Sequence, residues 1–84
     1  MLQPKHALTQ YNLGRALKNS GDLDSAIQAM QDAIKLKSDW AAAHYELGLL
    51  YVETGEPDMA REEYNILTTL DQKLADKLSV RVNQ

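Results

Sequence analysis

The sequence predicts an all-α fold in which two copies of one helix hairpin pack in succession and a fifth helix follows. Three observations carry this prediction. The stretch "YNLGRALKNSGDL" from Tyr11 returns as "YELGLLYVETGEP" from Tyr45, 34 positions later, with Tyr, Leu, Gly and a second Gly in the same places. Apolar residues recur within each copy at intervals of three and four, the period of a helix with one buried face. All four glycines fall in matched pairs, Gly14 with Gly48 and Gly21 with Gly55.

A gap-free alignment of residues 7–40 with residues 41–74 also pairs Ala7 with Ala41, Asp24 with Asp58, Ala26 with Ala60 and Leu36 with Leu70. The 84 residues therefore read as one domain with a first unit at 7–40, a second at 41–74 and a C-terminal helix at about 72–82. A repeat of this length is the signature of a supersecondary unit that buries its apolar face only by stacking on a neighbour.

In the first unit, Leu8, Tyr11 or Leu13, Gly14 and Leu17 make the apolar face of one helix. Leu23, Ala26, Ile27, Met30, Ala33 and Ile34 make that of the next. Between them Gly21 supplies the left-handed residue that ends a helix, and Asp22 suits the N-cap of the helix that follows. In the second unit Gly55 does the same, and Pro57 suits the first helical position after Glu56. Gly14 and Gly48 sit inside helices, where each costs about 1 kcal/mol relative to Ala. Close backbone approach must recover that cost, so Gly14 is expected to face Ala26, and Gly48 to face Ala60.

Beyond Leu70, residues Leu74, Leu78 and Val82 repeat every four positions among charged neighbours, which predicts an amphipathic fifth helix. Such a helix would cover the apolar flank of the second unit, as a terminal cap must. Neither Gly nor Pro occurs from Asp58 to Gln84, so one long helix from Asp58 onward, with its apolar stripe left for another chain, is the alternative.

These residues resemble the tetratricopeptide repeat family, whose unit carries Leu-Gly, then Tyr, then Ala, an aromatic and Pro. The second copy matches at Leu47, Gly48, Tyr51, Ala60 and Tyr64; the first at Leu13, Gly14 and Ala26, and more loosely at Leu17 and Met30. Gln10 and His44 stand where the family often has Trp, and Ser38 and Gln72 where it often has Pro. Leu2 and Pro4 precede Leu36 and Ser38 by the same 34 positions, as if closing an earlier unit. The resemblance thus implies a right-handed superhelical stack and a piece of a longer array, against the alternative that Pro4 simply opens the first helix.

Composition narrows the function. A net charge of −3 and a pI near 5.2 disfavour a phosphate-binding footprint, so nucleic acid is not an expected partner. There is no cysteine, hence no disulfide framework and no thiolate site. No apolar run approaches the ~20 residues of a membrane span, and the N-terminus lacks the layout of a signal peptide. A chain of the cytoplasm is the resulting expectation.

No catalytic constellation stands out, and neither an enzyme nor a cofactor is expected. His6 and His44, the only histidines, lack a third metal ligand, and His44 reads as a packed stand-in for the family's Trp. Glu62 and Glu63 read as a solvated helix face rather than an acid–base pair. Ser20 and Ser25 have no histidine in their unit and sit where turn and cap chemistry explains a serine. Trp40 reads as a wedge at the junction between units, with a binding anchor as its alternative.

The resemblance also implies a concave surface lined by the first helix of each unit. The matching places hold Leu8, Tyr11, Arg15, Lys18 and Asn19 in the first unit and Ala42, Tyr45, Leu49, Val52 and Glu53 in the second. Some members clamp a peptide's terminal carboxylate with Lys and Asn; Tyr11, Arg15, Glu46, Asp76 and Val80 stand in those places here, so that clamp is absent. The expected site is a groove of Tyr11, Arg15, Lys18, Asn19, Tyr45, Leu49 and Val52 that receives a peptide or protein. Self-association into a homo-oligomer is the alternative.

Overall fold

The computed structural model describes residues 4–82, with side chains from His6 onward, as five helices: α1 (Pro4–Asn19), α2 (Leu23–Leu36), α3 (Ala41–Glu53), α4 (Pro57–Leu70) and α5 (Gln72–Val82). The first two pairs are antiparallel hairpins. Helix α3 packs on α2 and joins the hairpins, and α5 lies against both α3 and α4.

Both hairpin turns are built alike. Gly21 and Gly55 adopt φ of 89° and 77°, the left-handed region that a Cβ disfavours. Behind each glycine the chain turns back on the preceding helix: the Asp22 amide donates to the Leu17 carbonyl at 2.9 Å, and the Glu56 amide to that of Tyr51 at 2.8 Å. The helix starts differ. Asp22 Oδ1 accepts from the Ser25 amide at 3.2 Å, whereas Pro57 opens α4 and the Glu56 carboxylate accepts from the Thr54 hydroxyl instead of capping.

Asp71 separates α4 from α5, which excludes the single long helix. Its backbone is extended, at φ −161° and ψ 97°, and its Oδ1 accepts from the amides of Lys73 at 3.1 Å and Leu74 at 3.2 Å. An aspartate N-cap thus does what no Gly or Pro is present to do. At the other end Pro4 is the first residue of α1, and Leu2 lies outside the described residues.

The core forms two neighbouring clusters. Ala26, Met30, Leu47, Leu50, Tyr51 and Ala60 join α2, α3 and α4; Leu49, Leu67, Ala75 and Leu78 join α3, α4 and α5. A Cβ at Gly14 would meet Met30 Cε at 2.9 Å and the Ala26 carbonyl oxygen at 3.3 Å, so this glycine does close on the second helix. Gly48 has a partner beyond its own hairpin as well: the atoms nearest a Cβ there would belong to Leu78 of α5 and Glu63 of α4. Leu8, expected on the buried face of α1, is 47% exposed, and of the alternatives Tyr11 and Leu13 it is Tyr11 that packs against the core while Leu13 is 47% exposed. Leu47, which stands 34 positions after Leu13, is 3% exposed because the first hairpin covers it.

Candidate functional site

Two side chains make a shelf where the hairpins meet. Tyr11, on α1, stacks on Trp40, which caps the start of α3, with ring centroids 4.6 Å apart and planes inclined by 28°. Arg15 lies one turn after Tyr11, and its guanidinium carbon stands 5.9 Å from the Tyr11 ring centre, within reach of the ring's negative face. Burial, and then the Glu46 carboxylate, raise the Tyr11 hydroxyl above its ordinary pKa, against the pull of Arg15. Tyr11 is therefore a protonated hydroxyl at neutral pH, able to donate as well as accept.

Lys18 closes the next turn of α1. Its Nζ reaches Glu46 Oε1 on α3 at 3.4 Å, so this cation is already matched across the helix pair. Asn19, the last residue of α1, is exposed. The shelf therefore carries one aromatic pair, a guanidinium over the Tyr11 ring and a bridged Lys–Glu pair beside it.

The three groove residues of α3 lie differently. Leu49 is only 7% exposed and packs with Leu67, Ala75 and Leu78, so it holds α5 in place rather than meeting solvent. Tyr45 and Val52 are half-buried against the same cluster. Helix α5 occupies much of the apolar side expected to be open. On α1, Arg15 and Asn19 are exposed, and Tyr11 and Lys18 are half-buried like Tyr45 and Val52.

Trp40 stands at the junction between the hairpins, as the sequence suggests, and one other group was read differently. Glu63 is buried, not solvated: its Oε1 lies 2.6 Å from His44 Nδ1, and the Ser38 carbonyl oxygen lies 2.8 Å from His44 Nε2. Glu62 is exposed as expected. His44 is buried as a stand-in for a large residue must be, yet it arrives with a polar partner on each ring nitrogen. No group of three or more His, Asp or Glu among the described residues is placed to hold a metal ion. No helix among them is long and apolar enough to cross a membrane.

The tetratricopeptide repeat profile matches residues 11–75, which takes in most of both hairpins and the start of α5. The chain is 33% identical over 60 residues to the TPR repeat-containing thioredoxin TTL4 of Arabidopsis thaliana, a match covering 71% of this chain and 9% of that protein. It is 35% identical over 54 residues to the probable UDP-N-acetylglucosamine–peptide N-acetylglucosaminyltransferase SPINDLY of Oryza sativa subsp. japonica, covering 64% of this chain and 6% of that protein. The chain thus spans less than a tenth of either relative. With the 34-residue period, paired hairpins and profile in agreement, the chain belongs to the tetratricopeptide repeat family.

Proposed function

We propose that the chain is a non-catalytic interaction module that holds a peptide or a segment of a partner protein along its concave face. Tetratricopeptide repeats mediate protein–protein interaction. Tyr11, Arg15, Lys18 and Asn19 would make the contact surface. Tyr45 and Val52 would extend it, and Leu49 would support it from beneath.

The observation that carries this reading is the Tyr11–Trp40 stack with Arg15 over the Tyr11 ring. Flat aromatic surface offers contact area at small entropic cost, and aromatics and Arg dominate interface energetics. Arg15 favours an acidic residue on the partner, and that residue would sit beside an apolar anchor resting on the rings. Charge would then chiefly set encounter rate, and the anchor most of the affinity.

A peptide array tests this. Binders should be enriched in a carboxylate next to an aromatic or aliphatic residue. Tyr11→Ala or Tyr45→Ala should weaken them by about 1 kcal/mol or more, while Arg15→Ala should mainly reduce the dependence on salt. Binders that all three variants hold as well as the parent would place the site elsewhere.

Self-association is a second reading, supported by the exposed Leu13, whose counterpart Leu47 is covered by a neighbouring hairpin. A second copy laid on the outer face of α1 would bury it. Sedimentation at tens of micromolar, compared with Leu13→Glu, tests this; a monomer in both proteins rejects it.

A further inference from the structure

Both ring nitrogens of His44 face oxygen acceptors, Ser38 O at 2.8 Å from Nε2 and Glu63 Oε1 at 2.6 Å from Nδ1. A carbonyl oxygen only accepts, so Nε2 carries a hydrogen. The contact with Glu63 then needs a second proton, either on Nδ1 facing a carboxylate or on the carboxyl group facing a neutral ring. Without it, two sets of lone pairs would oppose each other in a buried site. The pair therefore holds one proton more than a neutral histidine beside an ionised glutamate.

The three groups come from three segments: Ser38 from the linker between the hairpins, His44 from the first turn of α3 and Glu63 from the middle of α4. Two residues after Ser38 comes Trp40, half of the aromatic shelf. We propose that the extra proton held by the His44–Glu63 pair is a clasp that fixes the linker to the second hairpin: when it is lost as pH rises, one ring hydrogen remains for two acceptors, it stays with the Glu63 carboxylate, and the released Ser38 carbonyl lets the linker free Trp40 from Tyr11. The bearing on partner binding rests on the groove reading above; the clasp itself does not.

The surrounding charges leave this proton to the pair. From α3, Tyr51 lies near Glu63, and its hydroxyl accepts from Gln31 of α2; burial holds its pKa above the ordinary value, so it stays protonated. On α4, Glu62 and, at its start, Glu56 are exposed carboxylates. In the linker, Lys37 and Asp39 pair with each other at 3.1 Å on the surface. From α5 the neighbour is the apolar Leu78, and Lys73, Asp76, Lys77 and Arg81 are exposed.

The hydrogen bond from Glu63 raises the His44 pKa against the opposing effect of burial, and Ser38 adds to the rise. A folded pKa above the unfolded value contributes stability that is full below about pH 6.5 and is lost as pH climbs through the folded value.

A His6→Gln background leaves His44 as the sole ring to follow by nitrogen NMR, and Trp40 is the only tryptophan. Between about pH 6 and about pH 9, the ring should titrate above the ordinary histidine value. Over the same range Tm should fall by several degrees and tryptophan emission should shift to longer wavelength. Glu63→Gln should flatten the Tm and emission changes, because its amide donates to a neutral Nδ1 and no extra proton is needed. A ring that titrates at or below the ordinary value overturns the proposal, and so does a Tm slope that is absent or unchanged in Glu63→Gln. If Glu63→Gln fails to fold, the ring titration alone decides. No partner enters these measurements, so their outcome is separate from that of the binding test.

Discussion

Gly48 of α3 lies directly beneath Leu78 of α5: a Cβ added at Gly48 would stand 2.5 Å from Leu78 Cδ2, 3.0 Å from Leu78 Cδ1 and 3.3 Å from Glu63 Cβ. Both ends of the Leu78 isopropyl group would have to move, and Glu63 closes the way on the α4 side. Gly48→Ala should therefore destabilise by on the order of 1 kcal/mol net, since overpacking at ~1–3 kcal/mol outweighs the helix propensity gained. Gly48→Leu should reach the upper end of that overpacking range. Gly14→Ala should be milder, because the nearest atom there is the flexible Met30 methyl at 2.9 Å. Thermal unfolding of the three variants ranks them, and a Gly48→Leu protein that melts with the parent would remove this packing account.

Leu78 is fully buried and binds α5 to both α3 and α4. Leu78→Ala should cost roughly 2 to 5 kcal/mol, with the spread set by how far α5 collapses into the gap. Hydrogen exchange should show α5 losing protection first, with α1 and α2 retaining theirs. Equal loss in all five helices would make α5 part of one cooperative unit with the first hairpin.

Asp71 alone marks the break between α4 and α5. Asp71→Ala should cost about 0.5 to 2 kcal/mol through loss of the two amide hydrogen bonds, and Asp71→Asn or Asp71→Ser should recover most of it. Circular dichroism during denaturant unfolding measures both effects. An alanine variant as stable as the parent would mean that packing of Leu74 and Leu78, not the cap, sets the start of α5.

The Lys18–Glu46 bridge spans α1 and α3 with both side chains partly shielded. A double-mutant cycle with Lys18→Ala and Glu46→Ala should give a coupling of about 1 kcal/mol or less, falling with added salt. A much larger, salt-insensitive value would show that the pair organises the shelf rather than decorating its edge.

The repeat was legible because its determinants are local: Gly21 and Gly55 end helices by their own backbone freedom, and Asp22 caps within three residues. The helix break at Asp71 was legible in principle, since an aspartate preceding Leu74 and Leu78 is a cap signal, but the absence of Gly and Pro obscured it. Glu63 and Leu49 were misplaced for a different reason. Burial of Glu63 depends on His44, 19 positions away, and Leu49 is covered by a helix that a two-unit reading places only at the end. The same applies in part to Gly48, which meets Leu78 of α5 as well as Glu63 of its own hairpin. A pattern within one unit cannot encode which face the next helix occupies.

Every helix pair in substantial contact is adjacent or next-but-one along the chain: α1 with α2, α2 with α3, α3 with α4 and α5, and α4 with α5. Contacts of such short sequence separation demand little loop closure before they form. The chain should accordingly fold on the microsecond-to-millisecond scale typical of helical domains with local topology. Nucleation is expected in whichever hairpin closes first, with growth outward by docking of the next helix. Because the α2–α3 contact and the Ser38–His44–Glu63 junction both lie at the middle of this order, substitutions there should slow folding, while those at Leu78 should chiefly speed unfolding.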